Sequence, residues 1–152
     1  MLTVFSDGSC VRGNPGDAAG AYVLVRDGGV VSAAGRPLGR STNNRGELSG
    51  AIFGLEAASA HALPGEAVLL VTDSRYVSDG VPKALDRAAP GKANNDLWGR
   101  LGSAASLLES AGHALLVRWV RGHDDTPGNE LVDQLARSAA ENQQPCTARG
   151  KA

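Results

Sequence analysis

The stretch VLLVTDSRYV (residues 68–77) decides the fold, because its first residues form an unbroken apolar run that stops abruptly on Asp73. A short run of this kind is what a strand buried on both faces of a sheet requires, and such a sheet needs helices on its two sides. The aspartate has two readings. It can cap a helix beginning at Ser74, a common use of the residue, or the strand can deliver a carboxylate to the carboxyl edge of the sheet, where open α/β folds place their sites.

Working outward, residues 2–6 read as another strand, followed by the turn-rich DGSCVRGNPGDAAG, which reads as a loop. AYVLVRDGGVVSAAG reads as two strands joined around Asp27, Gly28 and Gly29, residue types that tight hairpins prefer. After PLGRSTNN the period changes, and Leu48, Ile52, Leu55 and Ala58 fall on one helical stripe that should end near Pro64 and Gly65. SRYVSDGV is a short helix, and VPKALDRAAPGKANN is broken by Pro82, Pro90 and Gly91 into weak turns. Asn94 or Asn95 can cap a helix carrying Leu97, Leu101, Ala104, Ala105 and Leu108. ALLVRWV is a further strand, and TPGNELVDQLARSAAE a helix with Thr126 as N-cap and Pro127 at its first position. The order implies an α/β fold with a five-stranded mixed sheet, its first three strands antiparallel, flanked by helices. Residues 1–141 form one domain, and the polar residues 142–152 are expected to be a disordered tail.

The chain has 152 residues, 42% of them hydrophobic, enough for a single core. It shows neither a membrane-spanning run of about 20 apolar residues nor the start of a signal peptide, so a cytoplasmic protein without membrane contact is expected. Its two cysteines are too few for a disulfide scaffold, and its three histidines lack the cysteines of a structural zinc site. A formal net charge of -1 argues against a broad basic face for nucleic acid, although charges can still be segregated on the surface.

Four carboxylates demand a reason. Asp7 ends the first strand and Asp73 the fourth; if those strands are parallel neighbours, both acids project at one edge, where like charges shift their pKa values or recruit a cation. Taken singly, Asp7 also suits a turn before Gly8. Glu47, three residues after Asn44, suits a capping box. Asp133 lies a full turn inside the last helix beside Val132, Ala136 and Ala139, where an unpaired carboxylate is costly. A hard divalent cation such as Mg2+, which takes oxygen ligands, accounts for all four together.

DGS (residues 7–9), TNNRGEL (42–48), TDSRYV (72–77) and WVRGHDDTPGNELVDQLA (119–136) resemble, in order and spacing, type 1 ribonuclease H, the enzyme that cuts the RNA strand of RNA/DNA hybrids. The resemblance covers nearly everything from Leu2 to about Glu141. It implies the ribonuclease H-like fold and makes Asp7, Glu47, Asp73 and Asp133 the catalytic, metal-binding acids. Two Mg2+ ions, or Mn2+ in their place, are implied, with Asp7 bridging them, Asp133 helping to hold the first, and Glu47 and Asp73 the second. In such two-metal sites the ions sit about 3.5 to 4 Å apart and clamp the attacking and departing oxygens. The implied products carry 5′-phosphate and 3′-hydroxyl ends. His123 matches a mobile accessory histidine of the family.

Choosing the RNA strand requires reading 2′-hydroxyls and duplex shape, and the matched candidates are Cys10, Asn14, Asn43 and Asn44. Arg40, Thr42 and Asn94 match the family's pocket for a phosphate of the DNA strand. Three departures stand out. CVRGNPG has one residue more than the commonest pattern, CxGNPG, which can displace Asn14; Arg75 replaces a usually uncharged side chain and can add a phosphate contact or be merely a solvated charge; and SDGVPKALDRAAPGKANNDLW is shorter and more charge-balanced than the basic handle of many relatives. The last predicts weaker, more salt-sensitive binding than in handle-bearing relatives. A monomer with no obligatory protein partner is the expected state.

Overall fold

The computed structural model describes residues 1–86, 93–122 and 126–148. Six strands form one sheet in the order β5-β4-β1-β2-β3-β6. The first three strands are β1 (Leu2–Val11), β2 (Gly16–Arg26) and β3 (Gly29–Ser41). They pair antiparallel, while β4 (Val68–Thr72) and β5 (Leu115–Trp119) run parallel to β1. Four helices flank the sheet: α1 (Asn43–His61), α2 (Arg75–Leu85), α3 (Asn95–Ser110) and α4 (Pro127–Asn142). No described helix is long and apolar enough to cross a membrane.

β4 behaves as its sequence dictates: all five of its residues are buried, because α1 to α3 cover one face of the sheet and α4 the other. Each fully buried aliphatic side chain of such a strand contributes roughly 1.5–3 kcal/mol. The hairpin between β2 and β3 turns on Asp27 and Gly28, both at positive φ, as a two-residue turn matched to strand twist needs. Trp98 is core, packed edge-on against Tyr76.

The structure corrects several expectations. The first two strands continue through most of the segment read as a loop, since Gly8 to Val11 pair with Gly20 to Asp17. β3 runs on to Ser41, absorbing Pro37 through a register shift opposite Ala18 and Ala19 that spares the ladder the missing proline N–H. α2 continues past Pro82 to Leu85, held by burial of Val77 and Val81 and by Gly80 lying against the Trp98 indole.

The sheet has six strands, not five. β6 (Cys146–Thr147) comes from the segment expected to be a disordered tail and pairs with Ala34 and Gly35. Its polar groups find partners there: Thr147 Oγ1 donates to Ala33 O at 2.7 Å, and Cys146 Sγ reaches Leu135 O across the side-chain-free Gly35. Gln143 fastens the approach, its amide donating to Ala18 O and Ala140 O and accepting from Gly39 N.

α1 seats directly on the sheet. Gly46, Gly50 and Gly54, one turn apart, face β1 and β2 so closely that a Cβ on any of them would overlap Ala19 O, Asp7 O or Val4. This approach brings the start of α1 to the end of β1.

Candidate metal centre

The parallel pairing of β1 with β4 ends at Ser6 opposite Thr72, so Asp7 and Asp73 are the next residue on each of two neighbouring strands. Glu47 reaches them from the second turn of α1, across Gly8, whose missing side chain leaves room for the Glu47 backbone. One carboxylate oxygen from each of Asp7, Glu47 and Asp73 lies within 4.8 Å of the others.

The local alternatives are taken by other residues. Ser74 caps α2, its hydroxyl accepting from Val77 N, while Thr72 Oγ1 accepts from Ser74 N. Asp73 is therefore not the cap. Thr42 caps α1 by accepting from Arg45 N, so the capping box of Asn44 and Glu47 is not formed. Relieved of that role, Glu47 is buried, and its Oε2 has no hydrogen-bond partner. Leaving a buried carboxylate oxygen unpaired is costly, and a cation is the partner that repays it.

The electrostatics agree. Burial, and then the charge of Asp73, push Asp7 up from 3.8 to about 7, although the Gly8 N–H donates to its Oδ1 at 2.9 Å; Asp133 adds to the rise. Burial, then Asp7 and Asp73, push Glu47 up to about 10. Three acids this close cannot all ionise near neutral pH without a compensating positive charge. Oxygen-only donors of this charge suit Mg2+ or Mn2+ rather than a soft metal.

Asp133 stands apart from that trio. It is partly exposed on α4 and forms an i,i+4 ion pair with Arg137 at 3.1 Å, so the helix supplies it with a partner of its own. Its charge adds to the rise at Asp7, but it is not among the acids whose oxygens meet within 4.8 Å. His123 lies outside the described residues, as do residues 87–92 of the handle region.

The remaining candidates gather around the start of α1. Asn14 Oδ1 accepts from Asn43 N at 3.0 Å, so the longer loop still brings its asparagine to the TNN segment. Cys10 Sγ donates to Gly13 O at 3.1 Å and lies 3.6 Å from Ser41 O. Arg40 and Asn44 are exposed nearby. Thr42 and Asn94 are linked through Arg45: its backbone N–H donates to Thr42 Oγ1, and its guanidinium donates to Asn94 Oδ1 while closing on Asp96. Asn94 Nδ2 in turn donates to Tyr76 Oη, which also accepts from the Trp98 indole.

Sequence reasoning missed Arg45 as this link and missed Trp119. The Trp119 indole N–H donates to the Asp73 carbonyl at 2.9 Å, and Arg75 stacks on its ring, 3.8 Å from the centroid. The signal was present as an arginine two residues after a strand-end acid and an aromatic at the end of the neighbouring strand, but only the β4–β5 register joins them.

The family model for RNase H matches residues 1–141. Ribonuclease H from Escherichia coli is 40% identical over 152 residues, covering 93% of this chain and 90% of its own length. Among solved structures, RNase H1 from the halophilic archaeon Halobacterium salinarum NRC-1 is similar with a TM-score of 0.70 and 31% identity, over 94% of this chain and 98% of its own. The N-terminal RNase H domain of a Mycobacterium tuberculosis protein, solved as a fusion with maltose binding protein, gives a TM-score of 0.72 at 25% identity, over 91% and 98%.

Proposed function

The chain belongs to the RNase H family, as a type 1 ribonuclease H, and on that premise we propose that it hydrolyses the RNA strand of RNA/DNA hybrids with divalent cations held by Asp7, Glu47, Asp73 and Asp133. The observation that carries the reading is the meeting of three carboxylates within 4.8 Å at the ends of two parallel strands, one with a buried, unpartnered oxygen. When bound, two Mg2+ or Mn2+ ions supply charge stabilisation at the reacting phosphorus and acidify a water for attack.

The protein's own part is to hold charge and substrate in place. Asp7, whose Oδ1 accepts from the Gly8 N–H, would hold a cation together with Glu47 and Asp73. Glu47 and Asp73 would complete that ligand set, and Asp133, paired with Arg137, would add a further carboxylate from α4. Thr42, Asn94 and Arg40 bind a phosphate of the DNA strand: the Thr42 hydroxyl retains its hydrogen for donation after accepting from Arg45, and Asn94 retains one amide hydrogen after donating to Tyr76. Cys10, Asn14, Asn43 and Asn44 face the RNA strand and select its 2′-hydroxyls. His123 acts as an accessory group in proton transfer or product release. The products carry 5′-phosphate and 3′-hydroxyl ends, and the enzyme works as a cytoplasmic monomer.

Incubation with Mg2+ and, in parallel, matched hybrid, double-stranded RNA, double-stranded DNA and single-stranded RNA, beside an Asp7→Asn variant, tests the reading. Cutting confined to the hybrid and absent from the variant is the expected result. Hybrid binding without cutting would make the protein a binding module, and cutting of DNA would make it a different nuclease of this fold.

A further inference from the structure

Trp119 occupies the last position of β5, directly opposite Thr72 at the end of β4, and Val120 N extends the pairing by donating to Thr72 O at 3.0 Å. Its indole therefore lies against the first residues beyond β4. Two contacts use it: the N–H fixes the Asp73 backbone carbonyl at 2.9 Å, and the Arg75 guanidinium lies over the ring, 3.8 Å from its centroid. Trp119 is 37% exposed and Arg75 is exposed, so this stack stands at the surface beside the carboxylate cluster.

Several arginines are held by carboxylates. Arg45 closes on Asp96, Arg100 on Glu56 and Arg137 on Asp133. Arg75 pairs with no carboxylate among the described residues, although the acidic cluster begins two residues away. A guanidinium stacked on an aromatic face keeps all its N–H donors in the ring plane, free to point outward, and the stack removes much of the side-chain entropy that an exposed arginine loses on binding an anion. Planar, outward-facing donors with a fixed charge suit a phosphodiester oxygen pair.

We propose that Trp119 is a positioning residue that holds two things at once: the Asp73 backbone at the metal centre, and Arg75 as a preset contact for a backbone phosphate of the bound hybrid next to the cleavage point. The inference rests on the hybrid-cleaving reading above. It assigns to this chain a phosphate contact outside the handle segment, and it couples that contact mechanically to one of the metal-binding acids.

Hybrid affinity measured across a salt series in Ca2+, together with KM and kcat in Mg2+, separates the two roles. Arg75→Gln should raise KM with kcat nearly unchanged and should make the slope of log affinity against log salt shallower by about 0.7 to 0.9, the share of one phosphate. Trp119→Phe keeps a ring for the stack but loses the N–H, so the salt slope should stay while kcat falls about three- to ten-fold, the loss of one hydrogen bond. Trp119→Leu should show both effects, and adding Arg75→Gln to it should change the slope no further. An unchanged slope in Arg75→Gln, or full additivity of that variant with Trp119→Leu, overturns the proposal while hybrid cleavage by the wild type stands. A wild-type protein that neither binds nor cuts the hybrid overturns both readings.

Discussion

Replacing Asp7 by Asn should abolish cleavage and yet make the metal-free protein less sensitive to rising pH. Asp7 titrates near 7 in the fold against 3.8 without it, because burial and the neighbouring acids oppose its charge. A group whose pKa is raised by folding binds more protons in the native state, so stability falls as pH climbs from the unfolded value to the folded one. Three pKa units correspond to a ceiling of about 4 kcal/mol, of which about 2 kcal/mol is lost between pH 5.5 and 8. For a domain of this size, 2 kcal/mol corresponds to roughly 4–8 °C in Tm. Glu47 is shifted in the same direction and weakens both proteins as pH rises, so the comparison isolates Asp7 and the part of the Glu47 shift that Asp7 causes. Thermal unfolding in EDTA at pH 5.5 and 8 measures the effect: the Tm of Asp7→Asn relative to wild type should rise by several degrees between the two, and Mg2+ should recover the wild type at pH 8 but not the variant. A difference between the two proteins that does not change with pH would refute the argument that these acids strain the fold when no cation is bound.

Asp73→Asn should keep the wild-type Tm within a few degrees in EDTA and lose cleavage by on the order of 100-fold or more, measured under single-turnover conditions; a variant cutting at the normal rate would remove Asp73 from the centre. Ser74→Ala should cost about 1 kcal/mol in urea unfolding, since its hydroxyl caps α2; no cost would mean that the cap lies elsewhere. Gly8→Ala puts a methyl into the Glu47 backbone, and should cost about 1–3 kcal/mol in stability and reduce cleavage with it; wild-type behaviour in both assays would show that α1 does not need this close approach. Arg45→Leu removes the guanidinium that holds Asn94 while leaving the backbone N–H cap to Thr42 in place, and should raise KM for the hybrid up to about ten-fold at unchanged kcat; a change confined to kcat would place Arg45 in another role.

What could be read in the sequence was what neighbours along the chain determine. The apolar run before Asp73, the Asp-Gly turn of the hairpin and the Thr-Pro start of α4 each carry their reason within a few residues, and each stands where the sequence puts it. What could not be read depends on partners distant in sequence. GSCVRGNPGD looks like a loop until Ala18 and Ala19 are seen opposite Cys10 and Ser9, and the tail looks disordered until Cys146 finds the bare backbone of Gly35. The candidate site divides along the same line. The acids were legible through the order of the motifs that resemble the family, each having a local alternative of its own, and three of them, Asp7, Glu47 and Asp73, meet in the fold. The groups that hold them were not: Gly8, Gly46 and Gly50 matter for side chains they lack, and Arg45 and Trp119 matter for what they touch across the fold.

This division explains why the local readings of Asp73 and Glu47 gave way together. A cap requires only an oxygen near a helix start, and the chain supplies uncharged oxygens for both tasks, Ser74 for α2 and Thr42 for α1. With those tasks filled, Glu47 and Asp73 meet Asp7 in one cluster, where burial and mutual repulsion push the Asp7 and Glu47 carboxyls well above their ordinary values. Serine, threonine or asparagine at the same positions would have avoided that repulsion and kept the helices. Held this close, the acids favour protons or a compensating cation over bare charge, and oxygen donors of this kind suit a hard cation.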